Sequence, residues 1–450
     1  MRNNLCRRFC AFLLCILVFG SAFMSSAAAL EDPNIDATAA ILVNPDTGMV
    51  LYEKNADEKK FPASTTKIMT ALLVLENANL DDVVTAEEVD FENVAADASN
   101  ADIKVGEQVK VLDLLYCLML PSANEAANML ARHVGGSVKD FADMMNAKAA
   151  ELGCTGTHFV NPNGLHDPEH YTTARDLLTI TEAAMEDETF AEIVNTAQKT
   201  ISKTNMHDAR KIFTTNQLIY SSFQPWFNQY CKGVKTGHTS EAGNCLVCYA
   251  EKGKSRLFSV VLGCKDAPDT STVAMSFTET NDLLDWGYTN FVSTTLAKKG
   301  DSLAKVKVRL STDTDELVLT TKNDLVASIP KDITAEDMTA TPTIPENKNA
   351  PIKEGDVIGS LTYSYNGVDY GTVELVAPYD VEMSKVLFYA DKLEHFFASP
   401  IFKIILVAVV IFLVLYVAFN LAFGRARRRK QRRSTRSRYE NSNYDRRRRK

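Results

Sequence analysis

The twenty residues from Ile404 to Phe423 carry no formal charge, and at about 1.5 Å rise per residue a helix of that length crosses the roughly 30 Å hydrocarbon core of a bilayer. A buried core helix is the other structure such a run can adopt. Arg425, Arg427, Arg428, Arg429, Lys430, Arg432 and Arg433 follow at once, and a core helix does not end in a block of unpaired cations. Residues 425–450 hold 14 Lys or Arg and two acids, Glu440 and Asp445. Basic flanks stay on the cytoplasmic side of a span, so the expected topology is a single pass at 404–423 with a basic cytoplasmic tail at 424–450.

The N-terminus sets Arg2, Arg7 and Arg8 before an apolar stretch, Phe9 to Gly20, that closes on Ala27-Ala28-Ala29. That pattern predicts a secretory signal at 1–29, cleaved after Ala29, with a retained anchor as the alternative. Without signal and tail, residues 30–424 carry 32 basic against 55 acidic groups, a net charge of −23. So acidic a surface excludes nucleic acid and broad capture of anionic polymers, and recognition has to be local, inside a cleft. The tail has only Tyr439 and Tyr444 as aromatic residues and reads as a topology signal.

Outside the signal the cysteines are Cys117, Cys154, Cys231, Cys245, Cys248 and Cys264. An even number permits disulfides without establishing them. Cys245 and Cys248 have C-x-x-C spacing inside an apolar strand, with no second pair at zinc-site spacing, and buried free thiols are the expectation. His133, His158, His166, His170 and His207 show no metal-ligand spacing and read as structural or surface residues.

A chain of 450 residues is long enough for two or three domains. Two strands flank Pro45-Asp46-Thr47-Gly48 as a hairpin. A helix apolar around most of its circumference follows Pro62 and belongs in a domain interior. From Glu107 to about Gly164 the pattern is helical, broken at Pro121, and Ala174 to Glu186 is helical again. Strands return at about Gly243 to Glu251 and Arg256 to Gly263, which predicts one sheet built from both ends of a domain at 30–295. After Lys298-Lys299-Gly300 short alternating strands and an Asn366-Gly367 hairpin predict a small β-sandwich domain at 300–380. A juxtamembrane segment at 381–403, amphipathic from Val381 to Ala398, precedes the span.

Three short signals carry chemistry: Ser64-x-x-Lys67, Ser122-x-Asn124 and Lys235-Thr236-Gly237. Singly they are weak, since S-x-x-K recurs at Ser302/Lys305 and Ser328/Lys331. Order and context set them apart. Serine and lysine three apart at a helix start share a face, so the amine reaches the hydroxyl. Only a neutral Lys67 can accept its proton, and burial plus a second cation, Lys235, would lower its pKa. Ser122 and Asn124, after Pro121, point from a loop, where a hydroxyl can pass a proton to a leaving amine and an amide can hold a carbonyl. Lys235-Thr236-Gly237-His238-Thr239 reads as a sheet edge on which an extended peptide can pair. Lys235, Thr236 and Thr239 there suit a terminal carboxylate, and the N–H groups of Ser64 and His238 an oxyanion.

These motifs resemble those of penicillin-binding proteins and serine β-lactamases. Pro62-Ala-Ser-Thr-Thr-Lys67, Asn161-Pro-Asn-Gly164, His170-Tyr-Thr-Thr-Ala-Arg-Asp176, Lys235-Thr-Gly-His-Thr239 and Trp286-Gly-Tyr are more closely similar to the low-molecular-mass D,D-carboxypeptidases. The resemblance runs from about residue 35 to the end of the β-domain. It implies an α/β penicillin-recognising, serine β-lactamase-like catalytic domain with a helical lobe, followed by a small all-β domain. It also implies a serine acyl-enzyme mechanism on peptidoglycan stem peptides ending in D-Ala-D-Ala, inhibition by β-lactam antibiotics, and no metal or cofactor. In those terms Ser64 is the acylated nucleophile, Lys67 the base and Ser122 the proton shuttle beside Asn124, with Lys235 to Thr239 binding substrate at the outer face of the cell membrane. Two features depart from the family: a spanning helix replaces the usual amphipathic surface anchor, and the stretch before the K-T-G strand, Phe213-Thr-Thr-Asn216-Gln-Leu218, offers no arginine for the carboxylate. The rivals are a D,D-endopeptidase acting on cross-links and a non-catalytic penicillin sensor or scaffold. A β-lactamase is disfavoured, because no Glu-x-x-Leu-Asn stretch is present to activate a deacylating water.

Overall fold

The computed structural model describes residues 31–447 except 96, 223–224 and 266–274, and side chains as far as Arg425. The N-terminal signal expected at 1–29 lies outside the described residues. The chain divides into two units.

In the first unit, five strands form an antiparallel sheet: β1 (Ala39–Asn44), β2 (Met49–Lys54), β3 (Cys231–Thr239), β4 (Gly243–Lys252) and β5 (Ser255–Cys264), in the order β2-β1-β5-β4-β3. Strands from the two ends of the domain therefore meet in one sheet, as the late return of strand pattern predicts. Side chains alternate across a pleated strand, and both faces of this sheet are covered. Ala40 and Leu42 of β1 join Leu246, Cys248, Leu257 and Val261 in one buried cluster with Leu283, Leu284 and Tyr288 of a helix at Met275–Asn290. Ile41 and Val43 face the other way, with Val247, Val260 and Leu262, into a larger cluster filled by the helical lobe. Burial on both faces is why β1, β4 and β5 read as nearly unbroken apolar runs rather than alternating ones.

The lobe places its most apolar helix, α1 (Lys67–Asn77), at the centre, where every residue from Lys67 to Val74 is buried. Around it stand α2 (Val111–Met119), α3 (Asn124–Gly135) and α4 (Val138–Glu151), with α5 (Ala174–Met185) following in the chain. Ser137 and Thr173 cap α4 and α5, each accepting the backbone N–H of an aspartate three residues on. The cysteines expected as buried free thiols are so.

Beyond residue 300 a six-stranded sheet runs in the order Thr339–Thr343, Val357–Tyr365, Val368–Val376, Glu316–Thr321, Ser302–Arg309, Asn347–Asn349. Asn366 and Gly367 turn its long hairpin with φ of 50° and 81°, the left-handed pair a two-residue turn needs. A helix at Lys385–Ala398 is followed by a continuous helix from Pro400 to Arg447. An 18-residue window within Pro400–Arg425 has a mean hydropathy of 3.0, and none of its residues is buried.

Candidate active site

Ser64 and Lys67 sit where the chain changes from one 3-10 turn, Ala63–Thr66, to α1. In a 3-10 turn residues i and i+3 nearly eclipse, which stacks the two side chains more directly than the plain helix start expected from sequence. Lys67 Nζ lies 3.0 Å from Ser64 Oγ, 2.9 Å from Asn124 Oδ1 and 2.5 Å from the Asn163 carbonyl. The amine is fully buried. Burial first, then the nearby Lys235, hold its pKa well below that of a free lysine. Lys235, also buried, is brought down to about 7 by desolvation.

Backbone strain sets this geometry. Ala63 and Ser122 both hold positive φ, 48° and 64°, a conformation that costs a non-glycine residue about 1–2 kcal/mol. Such strain persists where the surroundings fix it and concentrates at functional sites. Ala63 opens the 3-10 turn that carries Ser64, and Ser122 lies where the chain turns between α2 and α3. The Ser122 hydroxyl is buried and has no partner among the described residues, so it is unspent. Asn124 opens α3, its Nδ2 donating to the Ser99 carbonyl at 3.0 Å while its Oδ1 accepts from Lys67. Asn124 thus belongs to the helix rather than to the loop anticipated from sequence.

β3 is the sheet edge, as expected. A Cβ on Gly237 would stand 2.9 Å from the Pro62 carbonyl oxygen and 3.1 Å from the Ser64 and Thr65 amide nitrogens. Glycine is required there because the strand passes against the turn that carries the serine. Ser64, Ser122, Asn124, Thr236, Gly237, His238 and Thr239 line one cavity of about 560 Å³, with Lys67 and Lys235 behind its wall. All nine residues singled out from sequence therefore converge.

Several contributors had no motif of their own. Asn163 receives the Lys67 amine through its backbone and donates from Nδ2 to Asn128 Oδ1 at 3.1 Å. Gly164, with φ 82°, lies so close to the Ala63 carbonyl that any side chain would collide with it. The Asn161-Pro-Asn-Gly164 stretch was the available signal, without a role attached. Thr215 Oγ1 is 2.6 Å from Thr236 Oγ1, so a hydroxyl pair stands where an arginine was sought. Glu125, next to Asn124, is buried with one carboxylate oxygen unpartnered; burial raises its pKa. His170 is structural, as expected. Its Nδ1 accepts the Val160 N–H at 3.0 Å, leaving the proton on Nε2 to face Thr66 Oγ1 at 2.8 Å. Burial lowers its pKa to about 4. Among the described residues no three His, Cys, Asp or Glu side chains form a group able to hold a metal ion.

A five-stranded antiparallel sheet backed by a helical lobe, with a serine and a neutralisable lysine at their junction, defines a serine hydrolase of the penicillin-recognising class. Residues 26–266 match the D-alanyl-D-alanine carboxypeptidase family, and residues 291–383 match the penicillin-binding protein 5 C-terminal domain. A D-alanyl-D-alanine carboxypeptidase of Bacillus subtilis is 32% identical over 74% of this chain and 82% of its own length. One from Escherichia coli is 32% identical over 84% of this chain and 93% of its own. The crystal structure of penicillin-binding protein 5 from Haemophilus influenzae superposes with a TM-score of 0.66 at 29% identity, covering 79% of this chain and all of that one. The chain belongs to the D-alanyl-D-alanine carboxypeptidase family, and its activity is that of a serine-type, penicillin-binding D-Ala-D-Ala carboxypeptidase.

Proposed function

We propose that Ser64 attacks the carbonyl of the penultimate D-alanine of a peptidoglycan stem peptide, with Lys67 as its base. The observation that carries this reading is the 3.0 Å contact between Ser64 Oγ and a buried Lys67 amine. Lys67, neutral, takes the hydroxyl proton as the ester bond forms, and the backbone N–H groups of Ser64 and His238 receive the negative charge on the carbonyl oxygen. The unspent hydroxyl of Ser122 relays the proton to the amine of the departing D-alanine. Asn124 holds Lys67 in line and keeps one amide hydrogen for a substrate carbonyl. Water then hydrolyses the acyl-enzyme by the reverse path, and a β-lactam traps the same ester.

The leaving carboxylate is held by Lys235 and the Thr236 hydroxyl, with Thr215 completing the pair at 2.6 Å. That pairing sets the carboxylate at the Thr236 end of the strand, and Thr239 falls to the acyl side of the substrate. The catalytic unit, net acidic, lies outside the cell, held by the helix at 404–423, with the basic tail in the cytoplasm and residues 1–29 removed as the export signal. The reading is tested by incubating the purified enzyme with a diacyl-Lys-D-Ala-D-Ala peptide and quantifying free D-alanine. Release abolished by Ser64→Ala supports it. No release from wild type that still labels with penicillin would favour the endopeptidase or sensor reading instead.

A further inference from the structure

A second cavity, of about 920 Å³, opens from the far end of β3 and shares His238 and Thr239 with the catalytic cleft. Among the described residues its wall carries Lys59, Lys60 and Lys265 against one acid, Glu241. Three lysines around one hollow stand out in a region, residues 30–424, with a net charge of −23. Two of them are positioned rather than loose. Lys59 Nζ sits 3.9 Å from the centre of the Tyr171 ring, and Lys60 Nζ is held 2.8 Å from Glu58 Oε1, with its backbone paired to Thr172.

The direction of the substrate fixes what enters this hollow. Resting on the proposed reading, the leaving D-alanine lies at the Thr236 and Thr215 end and the scissile carbonyl at His238. An extended peptide on a strand edge advances about 3.3 Å per residue. The residue preceding D-Ala-D-Ala is one position beyond the penultimate D-alanine and therefore lies about 3.3 Å further on, level with Thr239, which lines the mouth of the lysine-lined cavity.

We propose that this cavity is a specificity subsite for the side chain of the residue preceding D-Ala-D-Ala, and that it selects side chains ending in a carboxylate. Lys59, Lys60 and Lys265 supply the attraction, and Glu241 and Glu58 disfavour a side chain ending in a lone ammonium. A charged pair at a solvent-open site contributes modestly and is screened by salt. The effect belongs in substrate capture, in KM more than in kcat.

The test compares two peptides on the full-length enzyme in detergent: Nα-acetyl-Lys-D-Ala-D-Ala with the lysine side chain capped either by succinate, which ends in a carboxylate, or by acetate, which is neutral. At low salt kcat/KM should favour the succinyl peptide by roughly 3- to 30-fold, carried by KM, and the preference should shrink on adding salt. In Lys59→Gln/Lys60→Gln/Lys265→Gln the preference should fall to near unity while hydrolysis of the acetyl peptide and the rate of penicillin acylation stay at wild-type values. Equal kcat/KM for the two peptides in wild type, or an unchanged preference in the triple variant, overturns the subsite. If neither peptide releases D-alanine from enzyme that still acylates with penicillin, the carboxypeptidase reading itself fails, and the subsite with it.

Discussion

Lys67 has to be neutral to accept the Ser64 proton, and its pKa is held down by burial and by Lys235. Activity is lost as pH falls through that lowered pKa. At the other limb Lys235, brought to about 7 by burial, loses the charge that attracts the carboxylate as pH rises, although a bound carboxylate favours the charged form and moves this limb upward. The expected profile of kcat/KM is a bell, its acid limb set by Lys67 and its alkaline limb by Lys235; a rate that stays flat from about pH 5 to about pH 9 would remove Lys67 from the role of base. Ser122 makes no hydrogen bond at rest, so Ser122→Ala should leave the melting temperature near that of wild type while slowing D-alanine release by about 10²- to 10⁴-fold. A comparable loss of thermal stability would point to a structural hydroxyl instead. Ser64, Lys67 and Lys235 could be picked out in the sequence because each belongs to a short motif of fixed spacing, S-x-x-K at a helix start and K-T-G on a strand. Thr215 and the Asn163 carbonyl could not. Thr215 meets Thr236 across 21 residues of chain and Asn163 meets Lys67 across 96, and a backbone carbonyl has no residue identity to read.

At the scale of elements, the site depends on how closely the edge strand β3 approaches the 3-10 turn. Gly237→Ala would put a methyl 2.9 Å from the Pro62 carbonyl oxygen, and relief requires β3 to move off the turn. The expected result is a penicillin acylation rate lowered at least tenfold, with a stability loss of about 1–3 kcal/mol, read by stopped-flow labelling and thermal melting. A second junction ties the hairpin of Gln198–Ile201 and Arg210–Phe213 to the loop before α2. Arg210 Nη1 lies 2.8 Å from the fully buried Glu107 carboxylate, and Arg210 Nε donates to the Ala101 carbonyl at 3.2 Å. Removing the guanidinium leaves a buried carboxylate without its cation, so Arg210→Ala should cost about 3 kcal/mol, seen as a lowered denaturation midpoint. A shift below about 0.5 kcal/mol would mean that water replaces the arginine. The sequence pattern gave the inner strands of the central sheet and α1 their correct kind, because both are buried and their apolar runs are long, but it read no strand in the hairpin of Gln198–Ile201 and Arg210–Phe213. It missed the 3-10 turn and put Asn124 one residue outside its helix, since helix ends are decided by caps and neighbours more than by periodicity.

For the molecule as a whole, the proposed topology rests on the exposed apolar helix at Pro400–Arg425 and the basic residues after it. A chain ending at residue 398 should leave the membrane fraction and keep its D-alanine release, whereas the full chain should sediment with membranes and need detergent. In sealed vesicles, trypsin should reach the arginines of 425–450 only when the cytoplasmic face is outward; cleavage of the tail in intact cells stripped of their wall would reverse the orientation.

The sequence by itself determined the long apolar helix, the charge asymmetry, the main strand and helix runs and the three motifs, because each is a local pattern of residue type and spacing. Only the tertiary structure decided that Lys67 and Lys235 are buried near one another, that Ala63 and Ser122 are strained, and that Thr215 faces Thr236. It alone gathered Lys59, Lys60 and Lys265 around one hollow. Burial, dielectric and distance between residues remote in the chain follow from packing the whole domain, and no local pattern encodes them.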